Sequence, residues 1–396
     1  MNVELLKIVR WGVKCMDIDS LFKYLKDVKA SDLHLRVGNK PFARISGELC
    51  EIPDQERVTA EKMERVIDKL LIDEEKKKFR ERKNLDMSYS IQGIGRFRVN
   101  IYVQRGTVAL VARRIEENIF TIDELGLPEV LKTVMKEQRG IILVTGATGN
   151  GKSTTVAAMI EHVNSTYKRN VITLEDPIEF LFKDKKSIVS QREIPTDTDS
   201  YKTALKYVLR QDPDIIFVGE LRDIETVDAA LKAAETGHLV ISTLHTVNAA
   251  QTISRIIDFY SSEQQKQIRY QLSSNIRAVI SQRLLPSTVE KKMVVAIEIM
   301  RDSPTIKDLI LTAEGVKQIP EAIKTGKDVH QMQTFDQAIA ELYLQGQITY
   351  DTALNAATVK KDIEFIKHGI SNDGMSKKDY YKSMLEEDED DTMNYF

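Results

Sequence analysis

The chain has 396 residues, 42% hydrophobic and 30% charged, which is enough for about two or three domains that each bury a core. Its net charge of −3, from 57 basic and 60 acidic residues, lacks the basic excess typical of proteins whose main partner is nucleic acid. Its two cysteines, Cys15 and Cys50, form neither a disulfide framework nor a zinc-binding pair.

No apolar run reaches the ~18 residues of a membrane-spanning helix. The first 15 residues are too often interrupted by charge for a signal peptide. We therefore expect a cytoplasmic protein that does not act on nucleic acid and contacts a membrane only through a partner.

Residues 1–15 are predicted to be an N-terminal extension, followed by a domain of mixed α and β patterns over residues 16–116. Helical patterns cover residues 21–28 and 60–82. Alternation of apolar and polar residues predicts strands at 32–37, 41–45, 86–91, 96–103 and 108–113. These elements predict a small α+β domain.

Residues 117–140 are predicted to be a linker with one helix, and a second domain covers residues 141–370. Its apolar strands, at 141–145, 170–174, 188–191, 215–218 and 239–243, alternate with helical segments, which predicts a doubly wound α/β fold with a largely parallel sheet. Residues 262–285 and 305–366 are predicted to be mostly helical, with one strand at 293–299. The segment 371–396 carries a run of acidic residues at 386–391 and is predicted to be a disordered tail.

A glycine-rich segment follows the strand predicted at residues 141–145 and precedes a helical pattern, with the spacing G-x-x-x-x-G-K-[ST] of a phosphate-binding loop. Glycines let backbone N–H groups close around a phosphate chain, and the start of the helix favours the same anion. Lys152 is suited to the outer phosphates and the Ser153 hydroxyl to Mg²⁺. The predicted nucleotide-binding residues are Gly146, Ala147, Thr148, Gly149, Asn150, Gly151, Lys152, Ser153 and Thr154.

Carboxylates follow two other predicted strands. Ligands of parallel sheets bind at the carboxyl ends of the strands, so Glu220, after the strand at 215–218, is predicted to hold Mg²⁺ together with Ser153. Three carboxylates lie within five residues after the strand at 170–174, and the last of them, Glu179, is the favoured general base. A solvated acidic loop is the alternative interpretation.

A histidine and several arginines extend the candidate site. His245 follows the strand at 239–243, where it either contacts the γ-phosphate side or has a structural role. Arg96 and Arg98 share one face of a predicted strand, and Arg113 ends another. They form either a solvated strand face or arginine fingers that act across a subunit boundary, which would require an oligomer.

These motifs, in this order, resemble those of the secretion-type hexameric ATPases, and within them the type IV pilus retraction ATPases of the PilT/PilU family. The resemblance covers about residues 16–370 and rests on the segments 30–35, 95–100, 146–153, 172–179, 210–223, 234–246 and 332–337. It implies a PAS-like N-terminal domain followed by a RecA-like ATPase domain, with ATP and Mg²⁺ as ligands. Glu179 matches the catalytic glutamate of the family.

The resemblance also implies a homo-hexamer in which Arg113, or Arg96 and Arg98, reach the nucleotide. The implied partner is an inner-membrane platform protein of the pilus (PilC-like), at which the ATPase would be peripheral. Residues 304–310 and the acidic tail are closer to the PilU pattern, so an accessory subunit that depends on a PilT-type ATPase is an alternative to an autonomous motor. A secretion or DNA-uptake ATPase of the same fold is another.

Overall fold

Two β-sheets organise the chain, one in each of the two units into which it folds. The structure is a computed structural model that describes residues 17–116, 118–289 and 292–367. Unit 1 comprises the described residues up to Asn118 together with Ile178–Leu181, and unit 2 comprises Ile119–Pro177 and the described residues from Phe182 onward. The predicted extension 1–15 and tail 371–396 lie outside the described residues, and the predicted domain bounds stay predictions.

Unit 1 is an antiparallel sheet with three helices, and its strand order is β3-β2-β1-β6-β5-β4. In chain order the elements are α1 (Ile18–Asp27), β1 (Asp32–Arg36), β2 (Phe42–Ile45), β3 (Glu48–Glu51), α2 (Ala60–Leu70), α3 (Asp73–Arg82), β4 (Asn84–Ile91), β5 (Gly95–Gln104) and β6 (Thr107–Arg114).

Helix α1 shows why this unit folds. The side chain of Asp17 caps its first turn by accepting a hydrogen bond from the backbone N–H of Ser20. Apolar residues at the spacing i, i+3, i+4 and i+7 then form one buried face, Ile18, Leu21, Phe22 and Leu25. The ring of Phe22 stacks on that of Phe97 from β5, with centroids 4.1 Å apart, so the helix is fixed to one face of the sheet.

The described part of unit 2 contains twelve helices around a seven-stranded sheet with the order β13-β12-β7-β11-β10-β8-β9. Its strands are β7 (Gly140–Thr145), β8 (Asn170–Glu175), β9 (Ile188–Glu193), β10 (Ile215–Val218), β11 (Leu239–Leu244), β12 (Ile276–Pro286) and β13 (Met293–Arg301). Its helices are α4 (Val130–Val134), α5 (Lys152–Thr166), α6 (Tyr201–Val208), α7 (Ile224–Glu235), α8 (Ala249–Ile257), α9 (Ser262–Asn275), α10 (Pro304–Ile310), α11 (Ala313–Thr325), α12 (Lys327–His330), α13 (Phe335–Leu344), α14 (Tyr350–Ala356) and α15 (Lys360–Lys367).

Strands β12, β7, β11, β10, β8 and β9 run parallel, and among the described strands of this sheet β13 alone pairs antiparallel, at one edge. Successive side chains of β7 enter different cores, because neighbours in a strand point to opposite faces. Ile141 and Leu143 join one cluster, and Ile142 and Val144 join the other. Burial of each such side chain contributes about 1.5–3 kcal/mol, which makes the central strand a rigid base for the loop that follows it.

A third cluster in unit 2 joins the C-terminal helices to the edge of the sheet. It contains Leu285 of β12, Ala296 of β13 and, from α13, Phe335 and Ile339. Helix α13 starts at a capping box, in which Thr334 and Gln337 satisfy each other's backbone N–H groups. We refer to the residues of this cluster as the C-terminal helical cluster.

The predicted fold class, an α+β domain followed by a doubly wound α/β domain with a helical C-terminal part, is confirmed. Within the described ranges, every helix is too short or too polar to cross a membrane.

Three details of the predicted elements are wrong. The predicted helical stretch 262–285 ends as a helix at Asn275, and Ile276–Pro286 is strand β12. Because β12 is buried on both faces, its sequence lacks the alternation that distinguishes a strand from a buried helix. The stretch 60–82 is two helices separated at residues 71–72, and strand β3 was not predicted.

Candidate active site

The loop between β7 and α5 is held in a conformation that requires glycine. Gly146 has φ of +147°, and a Cβ atom there would lie 2.6 Å from the backbone carbonyl oxygen of Gln282. Helix α5 begins after Gly151, and no side chain in the described part of the chain caps its first turn. Its first N–H groups are therefore available to an anion, together with the positive end of the helix dipole.

Lys152 and Ser153 lie in the first turn of α5, as the loop motif predicts. The ammonium group of Lys152 donates hydrogen bonds to the carbonyl oxygens of Gly146, at 2.9 Å, and Ala147, at 3.2 Å. These bonds keep the positive charge at the loop, where a phosphate chain would bind.

His245, immediately after β11, connects the loop to a carboxylate. Its Nδ1 lies 3.4 Å from Nζ of Lys152 and 3.3 Å from the hydroxyl of Thr148, and its Nε2 lies 3.3 Å from Oε1 of Glu220. An ammonium group can only donate, so Nδ1 is the acceptor, and the proton on Nε2 is then directed at Glu220. One tautomer thus satisfies both contacts, and the imidazole links the ends of β7, β11 and β10.

Glu220 follows β10 and has a second partner that sequence reasoning missed. Arg222 donates from Nε to Oε2 of Glu220 at 2.7 Å, and its NH1 lies 3.6 Å from Asp176, just after β8. The hydrogen bond to Glu220 raises the pKa of the Arg222 guanidinium. Acidic and basic side chains therefore alternate along the carboxyl ends of the parallel strands, which is where α/β sheets bind their ligands.

Gln282 of β12 is another residue of the site that the sequence did not indicate. Its side-chain Nε2 donates to the backbone carbonyl of Asn150, and the side chain of Asn150 donates back to the carbonyl of Gln282. Since the stretch 262–285 was predicted to be mostly helical, nothing in that prediction placed Gln282 beside the loop. Had this stretch been assigned to a strand paired with β7, Gln282 would have been expected beside the loop.

The three predicted arginines lie together on one face of unit 1. Arg98 of β5 and Arg113 of β6 are opposite each other in register, and Arg96 precedes Arg98 by two residues. Arg113 also pairs across to β1, where its Nε donates to Asp32 at 2.8 Å. Burial alone would raise the pKa of Asp32, but hydrogen bonds from Ser31 and Arg113 outweigh it and hold the pKa of that carboxyl below its usual range.

Glu179 is exposed and lies on the segment Ile178–Leu181, which belongs to unit 1. The neighbouring Phe180 forms a β-bridge with Glu116. Within unit 2 the structure thus brings together the loop, Lys152, Glu220 and His245. The position of Glu179 and of the arginines with respect to the loop stays a prediction.

A parallel α/β sheet whose central strand leads into this loop, with a lysine, a histidine and a carboxylate in contact at the strand ends, defines a P-loop ATPase with a RecA-like domain. The family described as Type II/IV secretion system protein matches residues 13–379. The chain belongs to this family, and within it to the type IV pilus retraction ATPases of the PilT/PilU group.

The individual similarities extend over nearly the whole chain. The type IV pilus retraction ATPase PilT of Pseudomonas aeruginosa is 41% identical over 349 residues, 88% of this chain and 100% of that protein. The type IV pilus ATPase PilU of the same organism is 39% identical over 359 residues, 90% of this chain and 93% of that protein. The crystal structure of the pilus retraction motor PilT with bound ADP has a TM-score of 0.80 and 40% identity, and covers 88% of this chain and 99% of that one.

Proposed function

We propose that this chain hydrolyses ATP and uses the energy to retract a type IV pilus, the activity underlying twitching motility. The observation that carries the proposal is the contact of His245 with both Lys152 and Glu220, because it joins the phosphate loop to the carboxylate that a triphosphatase needs. The match to PilT over the full length of that protein supports the motor function.

In this proposal the loop residues 146–154 hold the phosphates of ATP, through the backbone N–H groups, Lys152 and the start of α5. The Ser153 hydroxyl and the Glu220 carboxylate are oxygen ligands of the kind that Mg²⁺ prefers, and both belong to the unit 2 site. Bound Mg²⁺ would neutralise charge on the phosphate oxygens. His245 would respond to the γ-phosphate through its contacts with Thr148 and Lys152.

Glu179 is the proposed general base that takes a proton from the attacking water. Arg96, Arg98 and Arg113 would stabilise the charge on the transferred phosphoryl group of a neighbouring subunit, which requires a ring. We propose a homo-hexamer, as the family resemblance implies. Asp32 would hold Arg113 at the surface of unit 1, where its side chain is 73% exposed.

The mechanical step would be the opening and closing of the two units around ATP, with residues 117–140 as the hinge. Residue 117 lies outside the described residues. The motion would act on an inner-membrane platform protein of the PilC type, so that the ATPase works in the cytoplasm, peripheral to the inner membrane. We propose no role for nucleic acid.

The second candidate function is that of an accessory, PilU-like subunit that depends on a PilT-type ATPase. The similarity to PilU over 90% of this chain supports it, and in the sequence resemblance residues 304–310 are closer to the PilU pattern. A secretion or DNA-uptake ATPase of the same fold would have the same site, and DNA-stimulated turnover would favour it.

The test is ATP turnover by the purified chain, alone and mixed with a PilT-type ATPase from the same cell, with Lys152→Ala as the control. Turnover by the chain alone that Lys152→Ala abolishes would support an autonomous motor. Turnover that appears only in the mixture would support the accessory function. Turnover that is unaffected by Lys152→Ala in both cases would contradict the assignment of the loop.

A further inference from the structure

Strand β12 lies directly beside the strand that leads into the phosphate loop. It runs parallel to β7, with Ile280 in register with Val144 and Ser281 with Thr145, the last residue of β7. The hydroxyl of Thr145 donates to that of Ser281 at 3.0 Å, inside the core. The next residue of β12, Gln282, is therefore placed against the first residues of the loop.

Gln282 and Asn150 form a reciprocal pair across this contact. Nε2 of Gln282 donates to the backbone carbonyl of Asn150 at 2.5 Å, and Nδ2 of Asn150 donates to the backbone carbonyl of Gln282 at 3.2 Å. Gln282 is 1% exposed, so these bonds form away from water. The carbonyl oxygen of Gln282 also lies only 2.6 Å from the position that a Cβ atom of Gly146 would take, so one residue borders both ends of the loop.

The side chain of Gln282 forms its hydrogen bond with the phosphate loop. Among the described residues, no group donates a hydrogen bond to its buried Oε1, and its Nε2 donates to the carbonyl of Asn150. A buried amide that only helped the sheet to fold would have partners in the sheet. The neighbouring Arg283 differs, because it donates to the carbonyl of Ala356 at 2.9 Å and its guanidinium lies 3.9 Å over the ring of Phe335, in the C-terminal helical cluster.

We propose that Gln282 is a positioning residue for ATP hydrolysis: its amide fixes the carbonyl of Asn150 and thereby sets the shape of the phosphate loop. The inference rests on the proposed binding of ATP at this loop. Because Gln282 holds the loop in one conformation, the N–H groups of the loop already face the phosphate site before the nucleotide binds. Binding then does not have to order the loop.

The test is the Gln282→Met variant, which keeps the length of the side chain and removes its donor. The variant should bind ADP about tenfold more weakly and raise KM for ATP about tenfold, with kcat within about twofold of the unaltered chain. A merely structural residue would give the opposite pattern, because partial unfolding lowers the active fraction, and so the apparent kcat, without changing KM.

Arg283→Met is the matched control, from the adjacent position of the same strand. Its KM for ATP should not change, and an increase equal to that of Gln282→Met would overturn the proposal. Should Gln282→Met fail to fold, Gln282→Asn keeps a buried amide but shortens the side chain by one methylene, which withdraws the donor from the carbonyl of Asn150. An unchanged ADP affinity in that variant would overturn the proposal as well.

The Lys152→Ala variant distinguishes a failure of the proposed function from a failure of the proposed role of Gln282. Turnover that persists in Lys152→Ala would contradict the proposed function itself. Turnover that depends on Lys152 while Gln282→Met leaves KM unchanged would contradict only the positioning role of Gln282.

Discussion

The substitution Gly146→Ala tests whether the loop needs the conformation and the close backbone contact seen at its first residue. Gly146 has φ of +147°, in a region that only glycine adopts readily. A Cβ atom there would lie 2.6 Å from the carbonyl oxygen of Gln282, which is about 0.7 Å inside the ~3.3 Å limit of ordinary C···O contacts. The backbone carbonyl belongs to a buried strand and has little freedom to retreat.

The expected cost has two parts. Backbone conformations of this kind cost about 1–3 kcal/mol for a residue with a side chain. The close contact would also displace the loop by ~1 Å. A misplacement of that size can lower the rate at a positioned site about 100-fold. We therefore expect Gly146→Ala to bind ADP and ATP at least about 100-fold more weakly, or about 2.7 kcal/mol.

Gly149→Ala is the control, since Gly149 also has a positive φ, +84°, but no atom lies within 4 Å of a Cβ atom built there. It should cost about 1–2 kcal/mol through the backbone alone, or roughly 5- to 30-fold in affinity. Calorimetric titration with ADP measures both variants, and thermal melting without nucleotide confirms that both are folded. Equal affinities for the two variants would refute the reasoning from the contact with Gln282.

Three further outcomes are expected. Glu179→Gln should bind ATP normally and lose nearly all turnover, because an amide cannot accept the proton of the attacking water; undiminished turnover would remove Glu179 as the base. Asp32→Asn should lower kcat about tenfold, because Arg113 loses its anionic partner. It should also lower the melting temperature at pH 7, by a difference that shrinks as the pH falls below about 4. Because the pKa of Asp32 is lowered, its stabilisation is complete above the unfolded pKa and is lost as the pH falls through the folded pKa, so a constant difference would contradict this. Burial raises the pKa of Glu298, so its stabilisation is present below the unfolded pKa and is lost as the pH rises through the folded pKa. The gain in melting temperature of Glu298→Gln over the unaltered chain should accordingly grow as the pH rises from about 4, the usual pKa of an unfolded glutamate, and a gain independent of pH would contradict the raised pKa of Glu298.

Much of the site in unit 2 could be predicted from the sequence, because the signals are local. The phosphate loop is a continuous motif between a strand and a helix, and the structure places Lys152 and Ser153 in the first turn of α5 as expected. Glu220 and His245 follow strands of the same parallel sheet, and the rule that ligands bind at the carboxyl ends of such strands was enough to expect them near Lys152.

The remaining contacts depend on which strands are neighbours, and the sequence carries no direct record of that. Because side chains alternate between the two faces of a strand, Arg96 and Arg98 could be placed on one face. The pairing of Arg98 with Arg113 and of Arg113 with Asp32 follows instead from the register of three strands. Gln282 was missed because a strand buried on both faces has the same apolar character as a buried helix.

The most direct test of the central proposal is the retraction of fluorescently labelled pili in cells that lack the chromosomal copy of this chain. The cells would carry either the unaltered chain or Lys152→Ala, produced at equal levels. We predict that the unaltered chain restores retraction and that the cells with Lys152→Ala keep extended pili. Retraction at the same frequency and speed with both chains would contradict the account, because ATP held by this loop would then not power the movement.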